Sequence, residues 1–198
     1  MRNQGTALKE EIIEKSVKLF LQKGYNATRV EDITTATNVS KAAFYVHFKS
    51  KNELLETIID RYESIFIDQA IRVVRKSRED FLRRIKYNHK WVTEFAYSNP
   101  ELCVAFLTIS AEMVGSGTTV EAKIRAIKSK YRAFIKELLE LGRKEGKIKE
   151  NLDLDLAAHI INALHDGILF EWYTNRDEVD GGRLAVTYRE IELSGILK

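Results

Sequence analysis

Between Ser40 and Phe48 the chain places Lys41, Ala42, Ala43, Tyr45 and His47 in one short run, with Phe44 and Phe48 four residues apart beside them. That combination suits a helix laid into the major groove of double-stranded DNA. The alanines allow close approach to the groove floor, and Ala43 can meet a thymine methyl. Lys41 is long enough for a base edge or a phosphate, and the polar tips of Tyr45 and His47 suit phosphate oxygens. Thr28, Arg29 and Lys51 fall at expected helix N-termini, where unpaired amides and the positive end of the dipole attract phosphate. Phe44 and Phe48 read as core.

Those side chains need short, well-capped helices to hold them. Leu8, Ile12, Ile13, Val17, Phe20 and Leu21 recur at helical intervals, and Gly24 supplies a C-cap. Thr28 and Glu31 have the spacing of a capping box at the head of a second helix. Asn38 ends that helix, and Ser40 caps a third over about 41–46. So tight a connection between two short helices is helix-turn-helix geometry. Ser50 and Glu53 form another capping box, opening a long helix through Leu54, Leu55, Ile58, Ile59, Tyr62, Ile65 and Phe66. Further runs are expected near 79–97, 101–114, 120–144, 154–174 and 183–193, with loops at Gly115-Ser116-Gly117 and Gly181-Gly182. The single proline leaves these runs uninterrupted. The expected fold is all-α, with an N-terminal three-helix module (1–49) joined by a long helix to a larger body (50–198).

Charge agrees with a polyanion partner. Residues 1–52 carry nine Lys/Arg against five Asp/Glu, more than the whole chain's net +3. The run 72–90 adds eight basic residues (Arg72, Arg75, Lys76, Arg78, Arg83, Arg84, Lys86 and Lys90) against Glu79 and Asp80, and reads as a solvated face. No stretch approaches a membrane span, and the N-terminus lacks the apolar run of a signal peptide, so a cytoplasmic protein is expected. Cys103 is the only cysteine, which rules out an intramolecular disulfide and any multi-cysteine zinc site. His159 and His165 are six apart, about 240° around a helix, and do not make a metal pair. HExxH, phosphate-loop and dinucleotide motifs are missing. Neither a metal nor a cofactor is expected, and an enzyme is the remote alternative.

The segment Thr28-Arg29-Val30-Glu31-Asp32-Ile33, continuing through Val39-Ser40-Lys41-Ala42-Ala43-Phe44-Tyr45-Val46-His47-Phe48-Lys49-Ser50-Lys51-Asn52-Glu53-Leu54-Leu55, resembles the DNA-binding region of the TetR family. Leu19 to Tyr25 resembles the end of that family's first helix. The resemblance covers about residues 8–55. Asn38 and Ala42 stand where the family often has glycine, and Thr34 and Thr37 where it often has alanine. It implies a dimeric, ligand-responsive regulator, most often a repressor, with an activator of the same fold as the near alternative. It also implies that Thr28, Tyr45, His47 and Lys51 hold the DNA backbone while Lys41, Ala42 and Ala43 face the groove, with Arg29 near it.

A homodimer on a pseudo-palindromic operator needs a pairing surface. Ile160, Leu164, Gly167, Ile168 and Trp172, with Leu184, Tyr188 and Ile191, recur at helical spacing and are the expected four-helix interface. An effector pocket for a small apolar or amphipathic molecule is expected in the body. Its candidate lining is Tyr62, Phe66, Trp91, Phe95, Phe106, Met113, Tyr131, Phe134 and Phe170.

Overall fold

The computed structural model describes residues 2–198, with side chains from Gly5 onward. Among the described residues every regular element is a helix: α1 (Arg2–Lys23), α2 (Val30–Ala36), α3 (Lys41–His47), α4 (Lys51–Tyr62), a π-helical turn (Glu63–Ile67), α5 (Asp68–Lys76), α6 (Phe81–Ser98), α7 (Pro100–Glu112), α8 (Thr119–Lys144), α9 (Leu154–Thr174) and α10 (Gly181–Ile196). An all-α chain with an N-terminal helix-turn-helix module ahead of a larger helical body is therefore the observed architecture.

The helix ends follow from local chemistry. Gly24 (φ +81°) and Asn38 (φ +52°) take the left-handed conformation that closes α1 and turns α2 into α3. Ser40 accepts from the Ala43 amide at 3.1 Å, and Ser50 from the Glu53 amide at 3.1 Å. Asp80, Asp153 and Asp180 cap α6, α9 and α10 in the same way. Pro100 opens α7, where its missing N–H costs nothing.

Four details depart from the sequence expectations. Thr28 does not cap α2: Arg29 does, with the Asp32 carboxylate accepting from the Arg29 amide at 2.8 Å. Glu53 reaches back to the Lys49 amide, not to that of Ser50. The long helix after Ser50 is interrupted by the π turn at 63–67, which falls where one packing unit ends and the next begins. Gly181 and Gly182 are not a loop but the first turn of α10.

The chain packs as two compact units, the first made of residues 1–63 and 101–124, the second of 64–100 and 125–198. In the first, Ile12, Val17 and Phe20 of α1 enclose Ile33, Phe44 and Phe48 with Leu54 and Ile58 of α4, all buried. Tyr62 stacks on Phe106 of α7 with centroids 3.9 Å apart. In the second, Phe81, Ile85, Phe134, Ile135, Leu138 and Leu139 form the centre. Cys103 is core as well: burial pushes its thiol up to about 12, which leaves it unreactive.

Gly142 on α8 sets how closely Phe81 and Ile148 approach. A Cβ there would lie 2.7 Å from Ile148 Cδ1 and 2.8 Å from the Phe81 ring. Gly142→Ala is expected to lower stability by about 1–3 kcal/mol through overpacking. Gly195→Ala, on α10 with open space around it, should be neutral or stabilising by up to about 1 kcal/mol. Urea unfolding of the two variants reads the difference.

Candidate functional site

The helix-turn-helix is fixed by the turn that precedes it. Residues 24–28 expose amides and carbonyls that no helix satisfies, and three side chains take them up. Glu112, at the end of α7, accepts from the amides of Tyr25 (2.9 Å) and Asn26 (3.0 Å). Lys51, at the start of α4, donates to the carbonyls of Tyr25 and Thr28, both at 2.7 Å, and lies over the Tyr25 ring at 4.2 Å. The Thr28 hydroxyl donates to the Gly24 carbonyl at 2.7 Å. Partial burial depresses the Lys51 pKa, against which the Glu112 carboxylate pulls upward.

Two expected phosphate ligands also hold the protein's own backbone. The Thr28 side chain is fully buried and faces the turn. The Lys51 ammonium is engaged by carbonyls. Both side chains shape the turn, and Arg29 is the exposed member of this group.

On α3 the outward face carries Lys41, Ala42, Tyr45 (52% exposed) and Val46 (80% exposed). Phe44 and Phe48 are buried on the opposite side, as expected. Ala43 and His47 flank them, half-buried, so Ala43 lies off the centre of the face on which it was expected. Val46 takes that place, and an exposed apolar residue at i+4 from Ala42 was a legible signal for it. Lys41 is ion-paired with Glu31 on α2, both side chains more than half exposed. An exposed pair contributes little to stability, so the lysine is available to a stronger anion.

In the second unit α6, α9 and α10 surround a cavity of about 60 Å³, lined by His89, Val92, Tyr97, His165, Trp172 and Tyr188 among others. Four residues expected at the subunit interface, Ile168, Trp172, Leu184 and Tyr188, line this cavity. Periodicity identifies an apolar face but not which helix will cover it. The other four, Ile160 (58% exposed), Leu164, Gly167 and Ile191 (66% exposed), remain on the surface. Leu156, Ile160, Leu164 and Gly167 follow one another along a single exposed line of α9.

None of the nine aromatic and methionine candidates for a pocket lines that cavity, while Phe134 borders a wider surface groove with Arg72, Arg75 and Lys130. Tyr62, Phe106 and Met113 are core of the first unit, and Phe66, Phe95, Tyr131 and Phe134 core of the second. Trp91 is half-buried and donates to the Phe66 carbonyl at 3.3 Å. Phe170 is on the surface.

The cavity also holds polar groups that spacing did not reveal. His165 is remote from His159 in direction, as expected, but the fold sets it beside His89 and Glu192. Burial, then the neighbouring His89, lowers the His165 pKa to about 4, so its imidazole is neutral at neutral pH. Burial raises the Glu192 carboxyl, but His89, His165 and Tyr188 outweigh it and the group lies below its ordinary value. A signal existed: Tyr188, Glu192 and Ile196 are four apart, which places a carboxylate on an inward face.

A helix-turn-helix with an exposed third helix, carried ahead of a helical body, defines the class as a helix-turn-helix regulator. Residues 12–58 match the family of bacterial regulatory proteins described as tetR, and residues 66–193 match the C-terminal region of YsiA-like proteins. The chain belongs to the TetR family of transcriptional regulators. The fatty acid metabolism regulator protein of Bacillus subtilis (strain 168) is 25% identical to it over 190 residues, covering 94% of each chain. The MbdR regulator of Azoarcus sp. CIB shares the fold with a TM-score of 0.87 at 23% identity, covering 95% of this chain and 98% of that one. FadR of Bacillus subtilis, solved in complex with stearoyl-CoA, has a TM-score of 0.77 at 23% identity, with 94% and 98% covered.

If Lys51 and Glu112 set the turn, their loss is seen without DNA. Lys51→Ala and Glu112→Ala should each cost about 1–3 kcal/mol of stability by thermal unfolding. A lysine that serves phosphate alone would leave the melting temperature unchanged.

Proposed function

We propose that this regulator is a repressor that binds a pseudo-palindromic operator as a homodimer and is released by an amphipathic effector. The carrying observation is the exposed face of α3, with Lys41, Ala42, Tyr45 and Val46 on a helix whose back is sealed by Phe44 and Phe48. A seven-residue helix of this kind inserts in the major groove with the small Ala42 nearest the bases and Val46 toward thymine methyls. Lys41 exchanges Glu31 for a phosphate or base edge. Tyr45 and His47 hold the backbone on the flanks, with Arg29 beside them at the head of α2.

One such helix reads only a few base pairs, and specific affinity needs a second copy about one helical turn away. The exposed line of Leu156, Ile160, Leu164 and Gly167 on α9, with Val186 and Ile191 on α10, supports pairing of α9 and α10 with their counterparts in a second chain. Gly167, with nothing near its Cβ position, would admit the partner helix closely.

The stearoyl-CoA held by FadR of Bacillus subtilis points to acyl thioesters as the effector class. A pocket for so large a ligand takes about 300–1,000 Å³, and the cavity among α6, α9 and α10 is about 60 Å³. Entry therefore requires those helices to part. α6 leads through Asn99 and Pro100 directly into α7, whose Glu112 holds the turn ahead of the helix-turn-helix. Where the parted state binds operator less well, a ligand that prefers that state weakens DNA binding, and DNA weakens the ligand's binding by the same factor.

Three measurements test this reading. Lys41→Ala with Tyr45→Phe should weaken binding to the upstream region of its own gene about 10- to 100-fold in fluorescence anisotropy, and the salt slope should fall by about 0.9 for each phosphate no longer neutralised. Equal affinity for this region and for random duplex would refute specific operator recognition. Ile160→Glu with Leu164→Glu should give a monomer in analytical ultracentrifugation; an unchanged dimer places the interface elsewhere. Saturating long-chain acyl-CoA should release the DNA, and operator affinity unaffected by it would remove this effector class. An operator-driven reporter distinguishes repression from activation.

A further inference from the structure

His89 on α6, His165 on α9 and Glu192 on α10 meet beside the cavity of the second unit, with one ligand atom from each within 4.8 Å of the others. The side chains of His89 and Glu192 are 6% and 2% exposed, and His89 Nε2 lies 3.2 Å from Glu192 Oε2. His89 Nδ1, His165 Nε2, Glu192 Oε1 and the Tyr188 hydroxyl are buried without a hydrogen-bond partner, while His89 Nε2 and Glu192 Oε2 face each other in a buried ion pair. So many unsatisfied polar atoms at one point are rare in a folded protein and call for an occupant that satisfies them together.

We propose that His89, His165 and Glu192 bind one divalent transition-metal ion of the zinc class, with a fourth position open to the cavity. Two imidazoles and a carboxylate are the borderline donor set that zinc accepts, whereas magnesium and calcium take oxygen ligands. Bonds of about 2.0–2.1 Å in a tetrahedron set neighbouring donors about 3.4 Å apart. His89 and Glu192 already stand near that separation, and no pair among the three exceeds it by more than about 1.4 Å.

The surroundings fit a ligand role for His165 in particular. Its Nδ1 lies 3.5 Å from the Tyr131 hydroxyl, which is itself held by Asn88 at 3.1 Å. A partner on Nδ1 orients the ring and leaves Nε2, the unsatisfied nitrogen, for the ion. The cavity of about 60 Å³ has room for the ion's water but not for a drug-sized organic molecule. The ion would join three helices that the chain sequence sets far apart. This assignment does not rest on the operator or effector reading.

Equilibrium dialysis of the full chain against Zn²⁺, with metal counted by atomic emission, should find one ion per chain. Glu192→Gln and His165→Gln, each checked for retained helicity by circular dichroism, should lower the affinity at least tenfold. His159→Ala, an exposed histidine of the same helix, should bind as the wild type does. Co²⁺ added to the unaltered protein should give the intense visible absorption of a tetrahedral site, which keeps the test decisive where a variant fails to fold. No bound zinc in the wild type, undiminished affinity in the folded Glu192 and His165 variants, or a weak octahedral cobalt spectrum would each overturn the assignment.

Discussion

The five-residue turn from Gly24 to Thr28 carries amides and carbonyls that belong to no helix, and the helix-turn-helix depends on their being satisfied. Glu112 takes the amides of Tyr25 and Asn26 while Lys51 takes the carbonyls of Tyr25 and Thr28. A carboxylate can only accept and an ammonium can only donate, so the two cannot exchange places. Together they read the turn's polarity from opposite sides. α2 and α3 are seven residues each and could not hold a direction alone. Their orientation is inherited from a turn gripped by α4 and α7.

On the proposed reading, this arrangement lets the exposed face of α3 respond to changes elsewhere in its unit. The Lys41 side chain is held only by an exposed ion pair, and its partner Glu31 belongs to the same small module. What sets the presentation of α3 is farther back, at residues brought in from the ends of two other helices. A shift of α7 need not deform α3 to change how it meets a groove. It need only tilt the turn. The π turn at Glu63–Ile67 lies at the exit of α4, where the chain passes from one packing unit to the other. Such turns relax the helical hydrogen-bond ladder and give a helix a place to bend.

The second unit carries its polarity differently. Its rings fill the core: Phe66 stacks on Phe95 at 4.8 Å, and Tyr131 packs against Phe134 with centroids 6.0 Å apart. One cavity remains where residues from α6, α9 and α10 converge. Gly181 permits that convergence, since a Cβ there would lie 2.5 Å from both the Trp172 indole nitrogen and the Tyr97 hydroxyl. The cavity is thus closed on one side by aromatic side chains and on another by an imidazole and carboxylate cluster.

Local chemistry was determined by the sequence alone. Gly24, Asn38, Ser40, Ser50, Asp153 and Pro100 mark helix ends because each acts on atoms within a few residues of itself. The apolar periodicity of α1, α4, α8 and α9 was legible for the same reason, as were the buried Phe44 and Phe48 and the outward Lys41 and Tyr45. What the fold alone decided was partnership across distance. That Thr28 and Lys51, read as phosphate ligands, also hold the turn emerges only with Glu112, more than eighty residues beyond Thr28 in the chain, which completes the same turn. That Trp172 and Tyr188 border a cavity was not legible, because a helical face does not state what will cover it. His89, His165 and Glu192 share no sequence spacing, and only the packing of three helices makes them neighbours.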